Sequence, residues 1–262
     1  MEKISVIMGV YNCDSTLPLA IDSILKQTYR NLELIICDDC SSDNTFDVAK
    51  RFQEENPSII RLIKNDRNLS LGPTLNHCLE YATGDFIARM DGDDYSDPER
   101  LEKQLLFLKE NSQYDLVATN MMAFNDIGEI GARTIKSGEA TKYDTVFGVP
   151  FCHATILAKR SVFDDLEGYS CNKYTWRVED VDLWFRFFQA GKRGYNMNET
   201  LYYVREDGSE LKRRTFKNYR NAAYVCLKGS LSLKLPLKYV LGSFLPIAKA
   251  MVPLWLIKLY RK

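Results

Sequence analysis

Beyond Glu210 the sequence contains no aspartate or glutamate, although it runs to 262 residues. Residues 211–262 carry twelve Lys and Arg, which leaves 23 bases against 35 acids in residues 1–210. A formal net charge of zero therefore hides an acidic body and a basic tail. A basic, apolar tail points to an anionic surface as partner, and no nucleic-acid partner is expected. Histidine is almost absent, with two residues, and no second Cys or His pair accompanies Cys37-Asp38-Asp39-Cys40 at zinc-site spacing. Seven cysteines, an odd number, argue against a disulfide framework and fit small packing residues in a reducing compartment. Neither G-x-G-x-x-G nor G-x-x-x-x-G-K-[ST] occurs, which removes the usual dehydrogenase and P-loop readings. No basic segment and apolar core of a secretory signal precede the strand-like run Ile4–Val10. The body of the chain is expected in the cytoplasm.

What is present is a hydrophobic content of 45% and an aromatic content of 12%, enough for a substantial core. The length suits one large α/β domain, or one such domain plus a short appendage. Ile4–Val10, Leu32–Cys37, Ile59–Ile63 and Phe86–Met90 read as buried strands. Between them, Leu17 to Leu25, then Phe46, Ala49 and Phe52, then Leu75, Cys78, Leu79 and Ala82 recur at helical spacing. Asp97-Pro98 opens another helix with Leu101, Leu105 and Leu108 inward. Strands alternating with amphipathic helices predict a mainly parallel sheet with right-handed crossovers. Tyr114–Thr119 and His153–Ala158 read as further strands, Asn125–Gly131 as a turn between strands, and Glu179–Ala190 as a partly buried helix. The expected division is one mixed α/β domain over 1–210, in halves at 1–110 and 111–210, and a basic, amphipathic helical region over 211–262.

Ligands of such sheets sit beyond the carboxyl ends of the strands. Here those places are acidic: Asp38 and Asp39 after the second strand, Asp91, Asp93 and Asp94 after the fourth. Three carboxylates in four residues repel one another, and Mg²⁺ or Mn²⁺ resolves the conflict with one or two carboxylates plus phosphate and water oxygens. A solvated turn of Asp and Gly is the plainer alternative.

Several ordered motifs together resemble family 2 glycosyltransferases of the GT-A fold. They are Ser5-Val6-Ile7-Met8-Gly9-Val10-Tyr11-Asn12, Cys37 to Thr45, Arg67-Asn68 with Gly72 and Asn76, Ala82 to Ile87, Asp91-Gly92-Asp93-Asp94, and Val178 to Trp184. The resemblance covers about residues 4–205. It implies a nucleotide-sugar site at Val10, Tyr11, Asn12, Asp38, Asp39, Asn68, Gly72, Asp91 and Gly92, with Asp39 on the donor base, usually uracil. It implies Asp91 near the donor ribose, Asp93 as principal metal ligand with Asp91 beside it, and Asp180 as the general base of an inverting displacement. Arg205, in a tyrosine-rich stretch after the base, is a candidate for the diphosphate. His153, Trp176 and Glu179 fall on the acceptor side. His153 reads equally as a hydrogen-bonding group of the site or a satisfied core histidine, and Trp176 as a sugar platform or core. Glu179 and Asp180 also suit a helix N-terminus.

Processive synthases of this family carry a Gln-x-x-Arg-Trp signature and several spanning helices. Neither occurs here, so a single sugar is expected to move per encounter, from a UDP-sugar to a glycan or lipid-linked glycan of a bacterial capsule, lipopolysaccharide or similar surface polymer. A sugar-1-phosphate nucleotidyltransferase needs a Gly-rich, Arg-containing loop where this chain has Val10 to Asp14. An inactive subunit of a polysaccharide assembly is countered by the joint presence of Asp39, Asp91, Asp93 and Asp180. Residues 239–257 are apolar for about a spanning length, yet Lys249, Pro246 and Pro253 interrupt them. Peripheral attachment to an anionic membrane face is expected, with Lys234, Lys238, Lys249 and Lys258 at the head groups. The alternative is a tail packed on its own body or in a homodimer.

Overall fold

The computed structural model describes residues 2–206 and 215–251. The first half alternates as its apolar runs require: β1 (Ile4–Val10), α1 (Leu17–Leu25), β2 (Leu32–Asp38), α2 (Thr45–Glu55), β3 (Ile60–Lys64), α3 (Leu71–Tyr81) and β4 (Phe86–Arg89). After a short β5 (Tyr95–Ser96) come α4 (Arg100–Glu110) and the hairpin of β6 (Leu116–Asn125) and β7 (Gly128–Arg133). The chain continues through β8 (Gly138–Glu139), α5 (Asp144–Phe147), β9 (Leu157–Lys159), α6 (Arg160–Asp165), α7 (Glu179–Gln189) and β10 (Gly194–Arg205). Three helices close the described chain: α8 (Phe216–Ser232), α9 (Leu237–Gly242) and α10 (Leu245–Ala250).

The strands lie in one sheet in the order β3-β2-β1-β4-β9-β6-β10-β5. The first four are parallel, β9 runs antiparallel between β4 and β6, and β10 is parallel to β6. Period-two alternation sorts the core onto two faces. Ile4, Val6, Met8 and Val10 of β1 join Leu17, Ile21 and Leu101 on one side. Ile7 joins Leu75, Cys78, Val162 and Trp184 on the other. Parallel alignment puts the carboxyl ends of β1, β2 and β4 on one edge, so the segments after Val10, Asp38 and Arg89 meet there.

Two expectations change. The strand read over His153–Ala158 is a 3-10 turn at His153–Thr155, followed by the short β9. Buried Arg100 braces this turn: its Nη2 donates to the carbonyls of Arg89, Ala154 and Ile156 at 3.0, 3.3 and 3.2 Å, while Ile156 O also accepts from Arg89 N at 3.3 Å beside the β4–β9 pairing. The twelve-residue β10 had no counterpart in the sequence reading. Asn196, Asn198, Glu199 and Thr200 interrupt its apolar pattern, and its pairing with β6 shifts register there.

The C-terminal helices pack on the body. Gly229 of α8 lies so close to α7 that an added Cβ would stand 2.2 Å from the Phe185 ring. Gly242 of α9 likewise meets Phe147 of α5. Among the described residues no helix is long and apolar enough to cross a membrane. The remainder of the 239–257 stretch, from residue 252, and Lys258 lie outside the described residues.

Candidate active site

The floor of the site is a set of loops clasped together by carboxylates and amides. Asn12 turns the chain after β1 with φ +49°, its Oδ1 accepts from Ser42 N at 2.9 Å, and its own N donates to Ser41 Oγ at 3.0 Å. Asp38, fully buried, accepts from Ser41 N at 3.2 Å and faces Lys64 Nζ at 3.7 Å. Asp39 accepts from Leu69 N, Ser70 N and Asn65 Nδ2, each at 2.8 Å, while Asn68 Nδ2 donates to the Asp39 carbonyl at 3.3 Å. A carboxylate with three donors is pre-oriented, and Asp39 helps to line the cavity. Sequence reading gave Asp39 a ligand. The structure adds a clasp that fixes the 65–70 loop, including Ser70 at φ +73°.

Gly92 lets the acidic loop rest on the end of β1, since a Cβ there would stand 2.9 Å from Val10 Cγ1. Asp91, Asp93 and Asp94 each bring a carboxylate oxygen within 4.8 Å of the others. Their environments differ. Asp94 is buried and accepts from Tyr202 OH at 2.9 Å and Arg205 N at 2.7 Å, so it anchors the loop to β10. Burial, then the charges of Asp91 and Asp93, push its pKa well up. Asp91 is gripped through both oxygens by the Arg89 guanidinium. A hard divalent cation fits this donor set at Asp93, with Asp91 adjacent, and the remaining positions left to phosphate and water. Arg205 sits behind the loop: its Nε reaches the Asp93 carbonyl at 3.3 Å and its Nη1 reaches Asp126 at 2.5 Å.

Across the cavity stands the N-terminus of α7. Asp180 is half-buried, and its Oδ1 accepts from Val181 N at 2.8 Å. Burial raises its pKa, against the opposing pull of that N–H and of Arg89. Burial first, then the Asp180 charge, pushes Glu179 up to about 7. His153 Nε2 and Tyr169 OH are 2.7 Å apart. Burial, with Arg89 near, pushes His153 well down, so its ring is neutral. Trp176 is 42% exposed, with Lys217 Nζ 5.4 Å from its ring centre, and Arg177 beside it has φ +57°. A cavity of about 570 Å³ brings Val10, Tyr11, Asp39 and Asn68 together with His153, Trp176, Glu179 and Asp180. Asn12, Asp38, Gly72, Asp91, Gly92, Asp93 and Arg205 support or flank it without lining it.

Sequence reasoning missed Arg89, which lines the cavity from β4 at 5% exposure. Burial lowers its pKa, but Asp91 and the neighbouring phenols and acids outweigh that and hold it charged. The signal was present: an arginine inside a buried strand demands a counter-charge, and Asp91 stands two residues on. Asn218 of α8 also lines the cavity, so the C-terminal helices contribute to the site.

Raised carboxylate pKa values carry a stability cost with a defined sign. A group with a folded pKa above its unfolded one stabilises below the unfolded value, and that stability is lost as pH rises through the folded value. For Glu179 the window runs from its ordinary value of 4.5 to about 7. Glu179→Gln should therefore gain on wild type between pH 5 and 8, on the order of 1 kcal/mol or about 2–4 °C in Tm. Melting curves whose difference stays constant with pH would contradict this origin of the shift.

The family model for "Glycosyl transferase family 2" matches residues 5–167 of this chain. The chain belongs to that family. It is 46% identical to the EpsE protein of Bacillus subtilis (strain 168), over 99% of this chain and 93% of that one. It is 31% identical to the O-antigen biosynthesis glycosyltransferase WbnJ of Escherichia coli, over 86% of this chain and 87% of that one. Among solved structures, S. aureus TarS 1-349 in complex with UDP-GlcNAc superposes with a TM-score of 0.73 at 19% identity, covering 93% of this chain and 71% of that one. The mannosyltransferase PcManGT from Pyrobaculum calidifontis, in complex with GDP-Man and Mn²⁺, gives 0.69 at 15% identity, covering 98% and 78%. These two likenesses establish the fold, and the chain is a glycosyltransferase of the GT-A type.

Proposed function

We propose that this family 2 enzyme transfers one sugar from a UDP-sugar to a hydroxyl of a glycan acceptor, with inversion at the anomeric carbon and a divalent cation. The observation that carries the reading is the single cavity that places the Asp39 loop on one side and the Asp180 carboxylate on the other. In this reading the clasped Asp39 receives the imide N–H of the donor base, and Tyr11 and Asn68 flank the nucleoside. Asp91 meets the ribose while Arg89 fixes its orientation. Asp93, with Asp91, would hold Mg²⁺ or Mn²⁺, which supplies charge neutralisation to the departing diphosphate. Asp180 takes the proton of the acceptor hydroxyl as that oxygen attacks from the face opposite the nucleotide. Oδ1 is held by Val181 N, which leaves Oδ2 for the proton. Neutral His153 and the Trp176 ring position the acceptor sugar.

The acceptor proposed is a lipid-linked glycan of a surface polysaccharide. A relative, the Escherichia coli glucosyltransferase WfaP, 28% identical over 83% of this chain, is named for a diphosphoundecaprenol-linked sugar. Peripheral membrane attachment is part of the proposal. Leu237, Leu241, Phe244 and Met251 are more than half exposed on and beside α9 and α10, where Lys238 and Lys249 also lie.

Calorimetry with UDP, GDP and CDP tests the donor assignment. UDP should bind with Mn²⁺ or Mg²⁺ present, more tightly than GDP, and more tightly than CDP, whose cytosine lacks the imide N–H that the Asp39 carboxylate would accept from. Equal affinity without metal, or a preference for GDP, would overturn it.

A further inference from the structure

A second cleft, of about 620 Å³, opens between the β7–β8 connection, α5 and α9. That volume lies within the range of small-ligand sites. Three aromatic rings form one wall. Tyr143 and Phe147 of α5 lie 4.9 and 5.2 Å, centre to centre, from Tyr239 of α9, and both α5 rings are more than a third exposed. Opposite them is Asn196 of β10, 3% exposed. Its Nδ2 donates to Pro150 O at 2.9 Å and Lys136 O at 3.3 Å, which fixes the amide orientation. The buried Oδ1 has no donor among the described residues. A buried amide oxygen left without a donor is costly and rare in native proteins.

The charges of the cleft are largely spoken for. Arg133 forks onto Glu206 at 2.8 and 2.9 Å, Glu139 onto Arg193 at the same distances, and Asp144 accepts from Thr141 N and Oγ1 at 2.7 and 2.8 Å. Lys136 is exposed and makes no ion pair among the described residues. Aromatic faces, an unmet acceptor, a free ammonium donor and nearly balanced charge suit a polyhydroxylated ring. Its C–H face packs on an aromatic plane while its hydroxyls donate and accept. A diphosphate would find, among the described residues, one cation without an ion pair, beside the acids Glu139 and Asp144.

The cleft also borders the catalytic cavity. Cys152 lines the cleft, and the next residue, His153, lines the cavity. Burial raises the Cys152 thiol to about 12, and the Asp180 carboxylate adds to that rise. We propose that this cleft is a carbohydrate subsite that holds sugars of the acceptor chain beyond the one bearing the reacting hydroxyl. The inference rests on the glycosyltransferase reading above and adds that the acceptor is an oligosaccharide.

The test is a glycan array printed with bacterial-type oligosaccharides and their component monosaccharides, probed with the full chain at saturating UDP and Mn²⁺. Wild type should retain one or more oligosaccharides, with monosaccharides at background. Tyr143→Ala and Lys136→Ala, both at exposed positions outside the donor site, should each weaken that retention about tenfold. Their UDP affinity by calorimetry should equal that of wild type, which also certifies their folding. Absence of oligosaccharide retention by wild type, equal retention of monosaccharides, or variants that bind as wild type does would each overturn the subsite. Failure of wild type to bind UDP would strike the donor reading instead, so the two outcomes are separable.

Discussion

Asp180→Asn is expected to lower the transfer rate by roughly 10²–10⁴-fold while leaving the affinity for UDP nearly unchanged. The amide keeps the size of the carboxylate and can still accept from Val181 N, the bond that orients the side chain. What it loses is basicity. In wild type, burial raises the Asp180 pKa, and the same burial strengthens the carboxylate as a base once ionised. Activity should therefore fall as pH drops through that raised value, because the base must be unprotonated to act. The variant should lose this acid limb together with its rate. Glu179, pushed up to about 7 and next in sequence, is the rival base. If Asp180→Asn turned over normally and Glu179→Gln did not, the roles of the two carboxylates would be exchanged.

Much of this site was legible in the sequence because parallel strands buried on both faces are written as unbroken apolar runs. Ile4–Val10 appears with the same bounds in both, and Leu32–Cys37 differs from its strand by one residue. Once those runs are strands, the position of Asp39, Asp91 and Asp93 at one edge follows from topology alone. Three features were not legible, each for a physical reason. The edge of the half-polar β10 is set by register against β6, a non-local property. The turn at His153 packs on the buried Arg100, more than fifty residues away in sequence, whose Nη2 donates to the Ala154 carbonyl. The reach of α8 into the cavity depends on Gly229 packing against Phe185, which no local pattern encodes. The resemblance supplied roles for Asp38 and Asp39 as ligands but not their part in bracing Ser41 and the 65–70 loop, which emerges only from the hydrogen-bond geometry.

Asp93→Ala carries the second large effect. Of the three clustered carboxylates, Asp94 is committed to Tyr202 and the Arg205 amide, and Asp91 to the Arg89 guanidinium. Removing Asp93 would therefore take away the principal metal ligand of the proposed site while the loop stays fixed by its neighbours and by Gly92 against β1. Without the cation the diphosphate faces the acids of the loop uncompensated. Loss of that charge stabilisation is expected to reduce turnover by about 10³-fold or more. Folding should be close to wild type, since the residue lies in a surface loop outside the hydrophobic clusters. The most direct measurement is the rate of UDP release from a UDP-sugar, followed for wild type and Asp93→Ala with Mn²⁺ and again after EDTA. The account predicts release by wild type with metal, loss on chelation with recovery on adding Mn²⁺ back, and near-background rates for Asp93→Ala throughout. Undiminished release by the chelated wild type, or by Asp93→Ala, would contradict it.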